Sequence, residues 1–142
     1  LGEDRLGGTK IGYLDSLVKL KAVSKVGDKY CVQLSKYRTA YIEEQHVDVL
    51  NNGGFSPASL TNSMRVWGDS LYDYVSLILY ERLPYQSFHQ INPSTIIIDV
   101  FGATTNTNWV TQMQSTREIK NISYEQVEDE LLRIKIELNH EQ

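Results

Sequence analysis

"LLRIKIEL" (residues 131–138) decides the fold. Leu132, Ile134, Ile136 and Leu138 alternate with Arg133, Lys135 and Glu137. Successive side chains of a strand point to opposite faces, so a period of two describes a strand with one buried and one wet face. This is the cleanest such signal in the chain, and further strands are read around it. Residues 94–101 read as a strand entered through Pro93, and residues 85–90 as one entered through Pro84. Val75, Leu77 and Leu79 oppose Tyr74, Ser76, Ile78 and Tyr80, so both faces of that strand are expected to be covered. Residues 64–67 and 118–124 are further strands. Residues 125–131 are expected to make one helical turn into the last strand, because Glu and Leu favour helix.

Upstream, the best break in the 142 residues is Asn51-Asn52-Gly53-Gly54-Phe55-Ser56-Pro57. It joins αL-tolerant Asn, two Gly and a Pro, and it has no periodicity. It divides the chain into a unit at 1–52 and another at 58–142. In the first unit Val18, Leu20 and Ala22 alternate with lysines. Gly27-Asp28 reads as a turn, and Tyr30, Val32 and Leu34 alternate after it. Residues 38–42 form a third short strand, and Val47 and Val49 mark a fourth. Short strands at this spacing suggest a small barrel. About 50 residues bury too little surface to be robust alone, so this unit is expected to lean on its neighbour. No long helix is assigned, and the predicted class is all-β.

The composition is that of an ordinary soluble domain, 41% hydrophobic and 23% charged with a net charge of −4. It offers no electrostatic case for nucleic acid. No stretch approaches the ~18 apolar residues of a membrane span. A single cysteine, Cys31, excludes an internal disulfide and leaves the redox compartment open. The sequence begins at Leu1 and reads as a fragment or processed product, so missing targeting signals carry little weight. Nine tyrosines against three phenylalanines and two tryptophans are the unusual feature. Tyrosine joins an apolar ring to a polar tip, which suits half-buried strand faces and ligand surfaces alike.

The residues give catalysis little to work with. A catalytic zinc needs three converging ligands, whereas His46, His89 and His140 are scattered and form no helical pair. There is no Gly-x-Ser-x-Gly elbow. Cys31 sits mid-strand without the helix N-terminus or adjacent cations that activate a thiolate. The carboxylate pairs (Glu43-Glu44, Asp69 with Asp73, and Glu128-Asp129-Glu130) read as solvated acids rather than a facing glycosidase pair. No cofactor loop and no metal site are expected.

"GYLDSLVKLKAVSKVGDKYCVQLSKYRTAYIEEQHVDVL" (residues 12–50) resembles a bacterial SH3-like module. The features are the Gly12-Tyr13 entrance, a first strand, the "VGDKYCVQL" hairpin and the "RTAYI" strand. "MRVWGDSLYDYVSLILYERLPYQSFHQINPSTIIIDVFGA" (residues 64–103) resembles an AMIN-type domain. There Tyr72-Asp73-Tyr74 leads into an apolar strand, "PYQSF" follows, and "NPSTIIIDVFGA" brings Asp99 and Gly102. "LLRIKIEL" fits the later strand that commonly carries an arginine, here Arg133. The tandem is similar to the N-terminal region of Bacteroides-type N-acetylmuramoyl-L-alanine amidases. The resemblance implies an SH3-like barrel followed by an AMIN-like β-sandwich, located in the periplasm or cell envelope. It implies a non-catalytic region that binds peptidoglycan and positions a zinc amidase domain lying beyond Gln142. The alternative is a protein-interaction or autoregulatory module contacting that amidase domain or an envelope activator.

Peptidoglycan recognition calls for aromatic faces and for Asn, Asp, Thr or Arg as hydrogen-bonding groups. Two regions carry these types. One is Tyr13, Tyr37, Arg38 and Tyr41. Alternation places Tyr37, Thr39 and Tyr41 on one face and Arg38 on the other, so a single groove would need loops, and small-barrel core and rim is the competing reading. The second is Thr104, Asn106 and Asn108 with Trp109, read as a polar loop after "DVFGA". Its short side chains suit sugars, but they equally suit turns. Trp109 is either an exposed platform or a core plug, and Trp67 is read as packing.

Overall fold

The computed structural model describes residues 14–51 and 58–140, apart from the side chains of residues 62 and 107–110. Among the described residues ten strands make up the all-β architecture expected from the alternation. They are β1 (Lys21–Val26), β2 (Lys29–Gln33), β3 (Thr39–Glu43), β4 (Ser59–Gly68) and β5 (Asp73–Leu77), followed by β6 (Tyr85–Gln90), β7 (Thr95–Phe101), β8 (Ala103–Met113), β9 (Ile119–Glu128) and β10 (Leu131–Leu138). They form three sheets, ordered β1-β2-β3, β6-β7-β10-β9 and β5-β4-β8.

The "LLRIKIEL" strand lies at the centre. β10 pairs antiparallel with β7 on one side and β9 on the other. Its even-numbered residues Leu132, Ile134 and Ile136 are buried against Met64 and Val66 of β4, with Val100, Ala103 and Ile119. The four-stranded and three-stranded sheets thus pack face to face, as the alternation required. β4 pairs antiparallel with β5 but parallel with β8.

The β1–β3 meander packs on the end of this sandwich. Val32, Leu34 and Ala40 share a second apolar cluster with Phe101 and Leu131. Charged groups close its rim. Glu128 accepts hydrogen bonds from Ser35 Oγ and Arg38 Nε, both at 2.9 Å, and Lys36 reaches Asp129 at 2.7 Å. The first unit leans on its neighbour through these contacts.

Several expectations change. No barrel closes among the described residues, because β1, β2 and β3 form an open three-stranded sheet. Nor is there a fourth strand at Val47 and Val49. After β3 the Glu44 N–H donates to the Asp28 carbonyl, residues 44–46 make a 3-10 turn, and Val49 stays exposed. The helical turn at 125–131 is absent. β9 runs on to Glu128, and a tight turn through Asp129 and Glu130 (φ 64°) leads into β10. Cross-strand pairing overrides the weak helical preference of Glu there. The strand beginning at Asp73 is covered on one face only. Val75 and Leu77 pack on the core, while Ile78 and Tyr80, just beyond it, are exposed. The "ATTNTN" stretch is strand rather than loop, since β-branched threonine suits a pleated ladder. Its ladder is broken, however. Thr61 pairs with Thr105 and Ser63 with Val110, so residues 106–109 lie opposite residue 62 alone.

Candidate functional site

The outer face of the three-stranded sheet carries the aromatic side chains. Along β4 and β5, inward Met64 and Val66 pair with Leu77 and Val75, so Arg65 and Trp67 turn outward beside Ser76 and Tyr74. Gln112 of β8 stands next to Arg65 on its other side. Trp67 and Tyr74 stack across the strands, ring centroids 5.4 Å apart and planes 17° from parallel. Tyr72 meets Tyr74 edge-on at 6.3 Å. Trp67 is 36%, Tyr74 37% and Tyr72 64% exposed, so the stack reaches solvent. Trp67 is therefore not the packing residue that its sequence context suggested. Nothing in single-strand alternation reveals a cross-strand partner, and Trp67 and Tyr74 pair only once the β4–β5 register is known.

The turn between these strands fixes the rings. Asp69 accepts hydrogen bonds from the N–H groups of Leu71 (2.7 Å) and Tyr72 (2.8 Å) and from the Tyr74 hydroxyl (2.8 Å). These donors hold its carboxyl below the ordinary aspartate range. Asp73 is held from the opposite direction. Its carboxylate accepts from the backbone N–H groups of Arg117, Glu118 and Ile119 at 2.7–3.1 Å. Burial opposes the Asp73 charge, but these three donors and the Arg117 guanidinium outweigh it and lower the pKa. Gly68 makes this approach feasible, since a methyl group there would collide with the Asp73 carboxylate.

A second charged centre lies on the outer face of the four-stranded sheet. Arg133 donates to both oxygens of Asp99, at 2.7 and 2.8 Å, and Gln86 adds a third bond at 3.2 Å. The Phe88 ring lies 5.9 Å from the guanidinium carbon. Burial raises the Asp99 pKa, yet Arg133 and Gln86 pull it below the ordinary value on balance.

The residues expected to bind ligand are spread over the molecule. Tyr13 lies outside the described residues, as does the 52–57 break. Tyr37 is exposed in the turn between β2 and β3, but adjacent Arg38 is engaged with Glu128. Tyr41 lies on β3 opposite Cys31, on the face away from the cluster that takes Ala40. Thr104 and Asn106 sit on β8, and Thr104 is exposed opposite Leu60. Asn108 and Trp109 belong to the same strand, and their side chains lie outside the described residues. β8 thus puts the second predicted group on the sheet that bears Trp67 and Tyr74.

The groups weighed for catalysis have other partners. Glu44 pairs with Lys25 at 2.6 Å, and Glu43 accepts from Gln45. His89 bonds Ser94 and His140 bonds Glu118. Cys31 is buried. Among the described residues no three His, Cys, Asp or Glu side chains converge as a metal site would require.

Residues 63–142, more than half of the chain, match the family model described as the AMIN domain. The chain belongs to the AMIN domain family. AMIN domains are non-catalytic modules that bind peptidoglycan and target proteins to the cell wall, and they occur in periplasmic or envelope-associated proteins. The match covers both sandwich sheets, from the aromatic end of β4 to the arginine-bearing β10. Neither curated proteins nor solved structures gave a match. No helix among the described residues is long and apolar enough to cross a membrane.

Proposed function

We propose that this chain is a cell-wall targeting region that binds peptidoglycan and positions a zinc N-acetylmuramoyl-L-alanine amidase domain. The observation that carries the reading is the AMIN sandwich itself, with a solvent-facing aromatic stack on one sheet. The unit at 1–52 is proposed as an SH3-like module and the unit at 58–142 as the AMIN-like module. The shared cluster around Phe101 and Leu131 supports their acting together. Tyr13, Tyr37, Arg38, Tyr41, Thr104, Asn106, Asn108 and Trp109 remain proposed contacts. The physical gain is effective concentration, because tethering a hydrolase to an insoluble polymer raises local substrate without new catalytic contacts. Periplasmic placement follows from the same reading.

Co-sedimentation of the 142-residue chain with isolated sacculi tests it. The protein is expected in the pellet, above the level of a control protein of similar size. Recovery at the control level would refute peptidoglycan binding. A protein-interaction role is favoured by exposed Ile78 beside exposed Tyr80, an apolar surface away from the Trp67–Tyr74 stack. That reading predicts retention on a separately expressed amidase domain and no pelleting.

A further inference from the structure

We infer that the outer face of the β5-β4-β8 sheet is a glycan platform, taking the N-acetylated sugar rings of peptidoglycan rather than its stem peptides. The inference rests on the peptidoglycan-binding reading above and assigns it a face and a ligand chemistry.

Three observations carry it. Trp67 and Tyr74 form a cross-strand stack that is one-third exposed, with Tyr72 extending it at an angle. Aromatic rings of this kind offer apolar surface to the C–H face of a pyranose. Next, the stack is bordered on the same face by hydrogen-bonding groups. The β4–β5 and β4–β8 registers place Arg65, Ser76 and Gln112 in one row beside the ring pair. A guanidinium, a hydroxyl and an amide together supply donors and acceptors for sugar hydroxyls and N-acetyl carbonyls. Among the described residues no carboxylate lies within ion-pair distance of Arg65, in contrast to Arg38 and Arg133. Finally, the platform is preorganised. The Tyr74 hydroxyl is tied to Asp69, which also holds the backbone of Leu71 and Tyr72. Rings already fixed by the fold lose little freedom on binding.

A stem peptide would call for different features. Its carboxylates and amines need several charged partners or a strand edge for backbone pairing. Here Arg65 is the cation in the row beside the rings, and the rings project from the face of the sheet.

The test uses the full 142-residue chain with three probes: intact sacculi, glycan strands stripped of peptide, and the released stem peptides. Wild type is expected to bind sacculi and stripped glycan and to ignore the peptides. Trp67→Ala and Tyr72→Ala are each expected to weaken binding to both polymers by about tenfold, the scale of one lost stacking contact. Tyr72 is the safer site, since it is the most exposed of the three rings. A circular-dichroism melt confirms that each variant is folded. Wild type that pellets with sacculi but not with stripped glycan would overturn the glycan assignment and leave peptidoglycan binding standing. Folded variants that bind like wild type would overturn the platform. Wild type that fails on sacculi would remove both readings.

Discussion

Arg133 holds Asp99 by two parallel hydrogen bonds, and the carboxylate it holds is only 1% exposed. The two residues sit opposite each other on β10 and β7, so the pair pins the register of the central ladder. A one-residue slip would bury Arg133 in the core and place Ile134 outside. Removing one partner is therefore expected to cost more than removing both. Arg133→Ala strands a buried carboxylate with Gln86 as its remaining partner and is expected to destabilise by about 3 kcal/mol. The double variant Asp99→Leu, Arg133→Met is expected to lie much closer to wild type. Urea unfolding of the two variants checks the order.

Acid should unfold the protein, and the direction follows from three aspartates. Asp69, Asp73 and Asp99 all have folded-state pKa values below their ordinary value. The unfolded chain then binds more protons than the folded one between the two sets of values. Stability is fully present above the unfolded value of about 3.9 and drains away as pH falls through the folded values. Asp73→Asn is expected to flatten this acid limb while lowering stability at neutral pH, where the charge bonds three N–H groups. Melting temperature measured from pH 7 down to pH 2 distinguishes the two effects.

Two glycines should respond differently to alanine. At Gly68 a methyl group meets the Asp73 carboxylate, with the Ser115 carbonyl oxygen at 3.1 Å. Neither side can yield without loosening the Asp73 bonds, so Gly68→Ala is expected to cost about 2–3 kcal/mol. At Gly27 nothing lies within 4 Å, but φ is +62°. Gly27→Ala is expected to cost about 1 kcal/mol, from backbone strain alone. Denaturant midpoints of the two variants give the comparison.

Leu131 is completely buried in the cluster it shares with the meander. Leu131→Ala is expected to cost about 2–5 kcal/mol, whereas Arg38→Ala, at the exposed rim, should cost under about 1 kcal/mol. Buried Cys31 in β2 reports the local consequence. A thiol reagent should label it slowly in wild type and much faster in Leu131→Ala, because Cys31, on the face turned away from the cluster, is uncovered when the meander itself unfolds, and that costs less once the Leu131 contacts are gone. Equal labelling rates would show that the meander opens independently of Leu131.

Strand identity was legible wherever one face is buried. The alternation of 131–138 holds in the structure because the inner residues of β10 meet a core, and the strand expected after Pro84 is β6. The Asp99 and Arg133 positions, singled out by resemblance, become one pair only through the β7–β10 register. What sequence could not show was long-range. Residues 104–108 look like a loop because the strand they join, β4, lies more than 40 residues upstream and runs parallel. Arg38 looked available because its partner Glu128 is 90 residues away. Trp67 looked like core because an aromatic beside apolar neighbours carries no mark of facing outward.

The parallel pairing of β4 with β8 also orders events during synthesis. Ser59 cannot meet Ala103 until the 43 residues between them have been made. Before then β4 has only its hairpin partner β5, and its other edge is unsatisfied. The aromatic face would exist as a two-stranded ribbon, a form too small to be stable alone. Closing so long a loop is slow and entropically unfavourable. Formation of the three-stranded sheet is thus expected to come late in folding, after β6 and β7 have joined.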